Sequence, residues 1–99
     1  MKNPIEHINK AFENRIRLGI MSVLMVNEHA DFNRLKEMLQ LTDGNLASHI
    51  SALEKAEYVK VHKQFVGRKP QTLYSATSAG RKAFLEHLDA LEKLIKQRK

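Results

Sequence analysis

The chain has 99 residues, 42% of them hydrophobic, with no cysteine and a formal net charge of +6. Such a length forms a single domain, spanning residues 1–99, and leaves no room for a second catalytic domain. The lack of cysteine excludes disulfides, thiolate metal sites and cysteine nucleophiles. Because the sequence shows neither a signal-peptide pattern nor an apolar run of about 18 residues, we expect a soluble cytoplasmic protein with no membrane partner.

The first predicted element is a long helix over about residues 4–26. Its apolar residues recur at spacings of three and four, which places them on one helix face. Pro4 suits the start of this helix because the first turn tolerates proline. The apolar face consists of Ile5, Ile8, Phe12, Ile16, Ile20, Val23 and Leu24.

A helix-turn-helix is predicted over about residues 31–57. Asp31 is suited to cap a short second helix, and Thr42 is suited to cap a third helix over about residues 45–57. The segment between the two helices is short and contains a glycine, as a tight connection requires. The inward residues of the two helices are Phe32, Leu35, Met38, Leu39, Leu46, Ile50 and Leu53.

The hydrophobic period changes from 3.6 to 2 after the third helix, which predicts a β-hairpin over about residues 58–76. A basic turn is expected at residues 66–71, because Gly67 permits positive φ and Pro70 removes a backbone donor. A second short extended run follows at residues 73–76. The hairpin therefore carries a charged tip.

The last predicted helix covers about residues 77–97, with Thr77 or Ser78 as its cap. One side of it carries an apolar seam of Phe84, Leu88, Leu91 and Ile95. In a monomer only the first helix could cover this seam, which favours a homodimer. The complete pattern predicts a mainly α fold with a small β-hairpin (α+β), that is, a winged helix-turn-helix with long N- and C-terminal helices.

The positive charge of the chain is concentrated in one segment. Residues 60–85 hold six lysines and arginines and no acid, whereas residues 1–57 carry −1 and residues 86–99 carry +1. The six cations are Lys60, Lys63, Arg68, Lys69, Arg81 and Lys82. Positive charge concentrated in this way creates a local electrostatic field that attracts a polyanion, although a solvated basic loop is a common alternative. Arg81 and Lys82, at the start of the last helix, either contact a nucleic-acid backbone or stay solvated.

The outward face of the third helix carries short polar side chains. Such a face fits a major groove about 12 Å wide, and polar groups near the helix N-terminus can reach base edges. A solvated face is the alternative, but it usually carries more Glu and Lys. Arg68 suits a phosphate or a narrow minor groove, and Lys63 and Lys69 suit the backbone. The predicted contacts to double-stranded DNA are Thr42, Gly44, Asn45, Ser48, His49, Ser51, Lys55, Lys63, Arg68 and Lys69.

Two motifs resemble a known family over about residues 5–90. The first includes Leu41-Thr42-Asp43-Gly44-Asn45-Leu46-Ala47-Ser48-His49-Ile50, and the second includes Gly67-Arg68-x-Pro70-x-Thr72-x-Tyr74. Together they resemble the small stand-alone winged-helix transcriptional regulators related to the MarR and ArsR groups. Glu57 departs from that family, which usually has glycine at the turn into the wing.

The resemblance implies a homodimer on a pseudo-palindromic operator. The third helix would be the recognition helix, the hairpin would be the wing, and the terminal helices would form the dimer interface. The resemblance does not define the operator, the direction of regulation or a small-molecule effector. The predicted interface residues are Ile5, Ile8, Phe12, Phe84, Leu88, Leu91 and Ile95.

The sequence offers little support for catalysis or metal binding. It has no recognisable set of nucleophile, base and orienting group and no phosphate-binding glycine loop, so we predict neither an enzyme nor a cofactor. His87 with Asp89 or Glu86 is the metal candidate on the last helix, but a lone histidine is far more often a surface or capping residue. A winged-helix module that docks proteins is the main alternative function. RNA binding is less favoured, because the deep groove of A-form duplexes excludes a helix.

Overall fold

Four α-helices and a small antiparallel sheet form the computed structural model of the protein, which describes residues 5–96. In chain order the elements are a 3₁₀ turn at Lys10–Phe12, α1 (Arg15–Val26), β1 (Ala30–Asp31), α2 (Phe32–Leu39), α3 (Asp43–Lys55), β2 (Val59–Val66), β3 (Lys69–Ala76) and α4 (Ser78–Lys96). The strand order is β1-β3-β2, and both pairings are antiparallel. This combination of helices and a hairpin confirms the predicted fold class.

The N-terminal segment differs from the single helix predicted over residues 4–26. Its α-helix begins only at Arg15, because the Asn14 side chain accepts hydrogen bonds from two backbone N–H groups of the first turn, at 2.9 and 3.2 Å. Asn9 caps the preceding 3₁₀ turn in the same way. Asparagine competes with the helix for backbone partners, so two successive caps interrupt the apolar stripe. The predicted start at Pro4 lies outside the described residues.

Because the N-terminal helix is interrupted, the Phe12 side chain points into the core. Its ring packs against Tyr58, Phe84 and His87, with ring centroids 5.4, 5.2 and 5.3 Å away. Phe12 is only 2% exposed, and Phe84 is buried as well. The predicted interface is corrected at these two residues, because both pack inside one chain and offer no surface to a partner.

His87 is the buried polar residue of this aromatic cluster. Its Nδ1 accepts a hydrogen bond from the backbone N–H of Asn9 at 3.1 Å, and the Asn9 amide donates to the Tyr58 hydroxyl at 3.0 Å. Burial lowers the pKa of His87, and the nearby carboxylate of Glu13 offsets part of this by favouring the charged imidazole. A neutral His87 therefore holds the N-terminal segment against α4.

The neutral state of His87 makes the free energy of unfolding depend on pH. Its folded-state pKa lies below the unfolded value of about 6.5, so the unfolded chain takes up a proton first as the pH falls. The stabilisation is complete above about pH 6.5 and declines toward the folded pKa, with a slope of at most about 1.4 kcal/mol per pH unit. Denaturant unfolding at several pH values should show a shallower decline for His87→Asn, which keeps an acceptor but does not titrate. Equal pH dependence in both proteins would contradict this expectation.

The predicted caps begin α2 and α3. Asp31 and Thr42 each accept a hydrogen bond from a backbone N–H of the following first turn, at 2.7 and 3.2 Å. Because Thr42 is the cap, α3 starts at Asp43, slightly earlier than predicted. The buried residues on these helices are Leu35, Leu46, Ile50 and Leu53. Met38 was predicted to face inward but is 52% exposed, because it lies at the edge of the apolar stripe of a helix of eight residues.

The hairpin of β2 and β3, here called the wing, is paired along its whole length. Its turn consists of Gly67 and Arg68 alone, and Gly67 has a φ of 65°, as the first central residue of a type II′ turn requires. The basic turn predicted at residues 66–71 was therefore too wide. Pro70 is accommodated in β3, next to the turn, where β1 does not reach. The two-residue strand β1, which was not predicted, pairs with β3 nearer the base of the wing.

The base of the wing is bonded to the start of α4 through Thr77. Glu57 has a φ of 65°, a conformation that glycine adopts without steric cost. The Thr77 hydroxyl donates to the Glu57 carbonyl at 2.7 Å and accepts from the Gly80 N–H at 2.9 Å. The Thr77 N–H donates to the Tyr58 carbonyl at 3.0 Å. Thr77 therefore caps α4 and fixes it to the wing at the same time.

α4 is 19 residues long and turns one face to the core. The inward residues are Gly80, Phe84, His87 and Ala90, whereas Leu88 and Ile95 are 43% and 75% exposed. The molecule is elongated and measures 59 Å in one direction, against 25 and 21 Å in the other two. The predicted helix end at residue 97 lies outside the described residues. Within residues 5–96, no helix is both long enough and apolar enough to cross a membrane.

Candidate nucleic-acid interface

The polar face of α3 points to solvent, opposite the face that packs in the core. Its predicted contact residues Thr42, Gly44, Asn45, Ser48, Ser51 and Lys55 are all exposed. Asp43, the one carboxylate in the first turn of α3, is paired with Lys36 at 2.8 Å. The N-terminal end of α3 therefore presents short polar groups and a positive helix dipole, both of which favour an anionic ligand.

His49 takes a different position from the other predicted contacts on α3. It is half-buried, and its Nδ1 lies 3.1 Å from Nη1 of Arg17 on α1. Arg17 is held in place because its Nε donates to the Ala11 carbonyl at 2.7 Å. Since a guanidinium can only donate, Nδ1 of His49 is the acceptor and Nε2 carries the hydrogen. His49 therefore contributes a hydrogen-bond donor, its Nε2–H, at the side of α3.

Arg17 was not among the residues predicted from the sequence. It lies 32 positions before His49, on a different helix, and no local pattern marks it. The packing of α1 against α3 brings the two side chains together. Arg17 thus adds a partly exposed cation beside the polar face of α3.

The wing carries exposed cations without acidic neighbours. Lys63, Arg68 and Lys69 are all exposed, and no ion pair in residues 5–96 involves them. The sequence of both wing strands and their turn contains no aspartate or glutamate. Their charges are therefore not neutralised by carboxylates of the described part of the chain, and they remain available to a polyanion.

Arg81 and Lys82 do not extend this surface equally. Arg81 is half-buried, and its Nη1 donates to the Met25 carbonyl at the end of α1, at 3.3 Å. A cation in this place satisfies a carbonyl of the last helical turn and complements the helix dipole. Lys82 is exposed. Arg81 thus has a structural partner, although the sequence groups it with the wing cations.

The metal candidate on α4 is engaged in packing. Nδ1 of His87 accepts the hydrogen bond from Asn9, and the ring lies in the aromatic cluster. In the part of the chain that the structure describes, no three His, Asp or Glu residues are grouped so that they could hold a metal ion.

Comparison with known proteins identifies several similar chains. A sequence model described as a winged helix DNA-binding domain matches residues 16–95. An uncharacterised protein of Methanocaldococcus jannaschii is 36% identical over 87 residues, which cover 88% of this chain and 95% of that protein. The structure of a transcriptional regulator homologue from Pyrococcus horikoshii OT3 has 35% identity and a TM-score of 0.81, covering 87% of this chain and 85% of that one. A structure of reduced AbfR bound to DNA shares the fold at 16% identity, with a TM-score of 0.77 over 95% of this chain and 65% of AbfR.

Proposed function

Because this chain belongs to the winged helix DNA-binding domain family, we propose that it is a transcription regulator that binds double-stranded DNA as a homodimer, without catalysis. The observation that carries the proposal is the exposed polar face of α3 beside a wing whose cations have no ion pair within residues 5–96. We place the protein in the cytoplasm, together with the DNA that it is proposed to bind.

The polar face of α3 fits the major groove. Gly44, Ser48 and Ser51 have small or no side chains, so the helix can closely approach base edges. Asn45 and Ser48 offer both hydrogen-bond donors and acceptors. His49 adds a donor through Nε2 at the side of the helix, suited to a phosphate oxygen or a purine acceptor. Base specificity is therefore assigned to α3.

The wing fits the backbone or the minor groove next to that site. Arg68 occupies the second position of the turn, at the tip of the hairpin, where a guanidinium can enter a narrow groove. Lys63 and Lys69 flank it on the two strands and suit phosphates. These contacts supply affinity for any duplex, whereas α3 distinguishes between sequences.

Homodimerisation is supported by the apolar residues that α4 leaves uncovered. Leu85, Leu88 and Ile95 are exposed along this helix, and Ile5 of the N-terminal segment is exposed as well. Two such helices packed about a two-fold axis would cover these side chains and set two copies of α3 about one helical turn of DNA apart. Ile8 and Leu91, which are half-buried, would lie at the margin of this contact.

Salt dependence of binding tests the proposed function. The logarithm of the DNA association constant should fall steeply with the logarithm of salt concentration, and Arg68→Ala or Lys69→Ala should each reduce the slope by about one unit. The matched control is Lys93→Ala, because Lys93 is exposed but already paired with Asp89 at 3.1 Å. The measurement is fluorescence anisotropy with a duplex selected from genomic DNA and with a random duplex.

Three outcomes would contradict the proposal or a part of it. Equal affinity for the selected and random duplexes would exclude sequence-specific recognition. Binding of a protein partner that hardly responds to salt, together with negligible duplex binding, would favour the docking module instead. An unchanged salt slope in both wing variants would remove the wing from the DNA contact.

A further inference from the structure

The wing exposes one large apolar side chain near its tip. Phe65 is 74% exposed, whereas the other five aromatic side chains, all within the described residues, are buried or half-buried. Its Cα pairs with that of Pro70, one position before the last pair at the turn. An exposed phenylalanine next to a proline gives the tip of a basic hairpin an apolar knob.

The face of the wing that carries Phe65 is the one that meets α3. Residues directly opposite each other in an antiparallel pair share a face, so Phe65 lies on the same side of the sheet as Val59 and its partner Ala76. Val59 and Ala76 are buried in the core cluster that includes Leu53 of α3. A duplex seated on α3 therefore approaches the wing from the side of Phe65.

The surroundings of Phe65 select a polyanion as the occupant of this surface. Lys63 and Arg68 lie within three positions of it along the chain, Lys69 begins the opposite strand, and neither strand contains an acid. A polyanion that also offers an apolar surface matches this combination, and the stacked bases and sugars of a duplex provide that surface. Phenylalanine is one of the side chains that minor-groove proteins insert between base pairs.

The hairpin also fixes the backbone at Phe65 before binding. The wing strands are paired up to a two-residue turn, and Gln64 donates to Gln71 across the pair at 2.8 Å. Such a tip loses little conformational freedom when it binds. Pyrimidine–purine steps of DNA are the easiest to unstack. An apolar side chain inserted at such a step distinguishes DNA sequences by how easily they deform, not by hydrogen bonds to their bases.

From this geometry we propose that Phe65 is a wedge that enters the minor groove and partly unstacks a pyrimidine–purine step beneath the wing tip. The proposal rests on the proposed DNA-binding function and adds a position of sequence selection that α3 does not contact. The duplex is the occupant that the charge around Phe65 favours; an anionic membrane surface and a second copy of the wing are the other occupants to be tested.

The test compares Phe65→Ala with Val66→Ala, since Val66 is the next residue, is also exposed, and points to the opposite face of the strand. Two duplexes carry the selected sequence with 2-aminopurine at the base-pair step beneath the wing. In one duplex this step is TA, and in the other it is part of an A-tract. The wild type and Val66→Ala should raise the fluorescence of the TA duplex. Phe65→Ala should lose this rise and bind the TA duplex about tenfold more weakly, with less effect on the A-tract.

The outcomes separate this proposal from the proposed function. If the wild type binds the selected duplex specifically but Phe65→Ala matches it in affinity and fluorescence, the wedge is excluded and DNA binding stands. If the wild type binds no duplex specifically, the proposed function itself fails. Loss of binding to phosphatidylserine vesicles in Phe65→Ala, with DNA binding unchanged, would assign the residue to a membrane surface. Loss of self-association, again with DNA binding unchanged, would assign it to a second copy.

Discussion

Replacement of Gly80 by alanine is expected to lower the free energy of unfolding by about 3 kcal/mol, a larger effect than a methyl group added at Gly19, Gly44 or Gly67. A Cβ at this position would overlap the Tyr58 carbonyl oxygen and lie 2.9 Å from the carbonyl carbon and Cα of that residue. The obstacle is backbone, so no side-chain rotation relieves it. The same carbonyl accepts the Thr77 N–H, so α4 cannot move away without breaking a bond at the base of the wing.

Urea unfolding followed by circular dichroism measures this loss. Gly44→Ala is the matched control, because Gly44 also lies in a helix but a Cβ there would meet no atom within 4 Å. The control should be neutral or up to about 1 kcal/mol more stable, since alanine favours the helix over glycine. A Gly80→Ala protein as stable as the wild type would show that α4 and the wing are not held as closely as their contact indicates.

Replacement of Leu88 by glutamate is expected to separate the proposed homodimer and to weaken binding to a two-half-site operator by about 100-fold or more. Leu88 is 43% exposed on α4, between the exposed Leu85 and Ile95. In a dimer packed along α4 the new carboxylate would face its own copy across the two-fold axis in an apolar setting, which is costly. A monomer would retain only the contacts of one half-site.

Sedimentation at micromolar concentration and operator binding check this prediction together. Val26→Glu is the control, because Val26 is the exposed last residue of α1, outside the proposed interface, and the substitution changes the net charge equally. The control should remain a dimer and lose only a small part of its affinity. A wild-type protein that sediments as a monomer would exclude the α4 interface and, with it, binding as a dimer.

The features that could be predicted from the sequence are those encoded locally. Thr42 and Asp31 each stand just before an apolar period of 3.6, and both cap the helices expected there. The change to a period of 2 at Val59, with Gly67 in the middle of the segment, located the hairpin. These signals need only neighbours in the chain, so the fold class and the exposed face of α3 follow from them.

The features that could not be predicted depend on distant partners. The apolar spacing of the N-terminal segment fits one helix, but Asn9 and Asn14 divide it into two helical segments. This division is stabilised by the packing of Phe12 against Tyr58 and Phe84. The strand β1 has only two residues and exists because β3, more than 40 positions later, pairs with it. Long-range pairing of this kind leaves no periodic signal in a single sequence.

The same limit applies to individual cations. Arg81 belongs by sequence to the acid-free segment, but the carbonyl it binds lies 56 positions away. Arg17 has no distinguishing neighbours, and its role beside α3 depends on its contact with His49. Charge counted along the chain therefore identified the wing as basic but could not assign each cation to a surface.

The hydrogen bonds of Thr77 couple the wing to α4, so that the two elements would move together. With the two joined at Tyr58, Glu57 and Gly80, a tilt of α4 is carried to the wing tip, which lies about 26 Å away along an eight-residue strand. A rotation of about 10° would displace that tip by about 4 to 5 Å, which exceeds the rise of about 3.4 Å between base pairs. In the proposed homodimer, small changes in how the two copies of α4 pack would thus shift the position of each wing tip along the bound DNA.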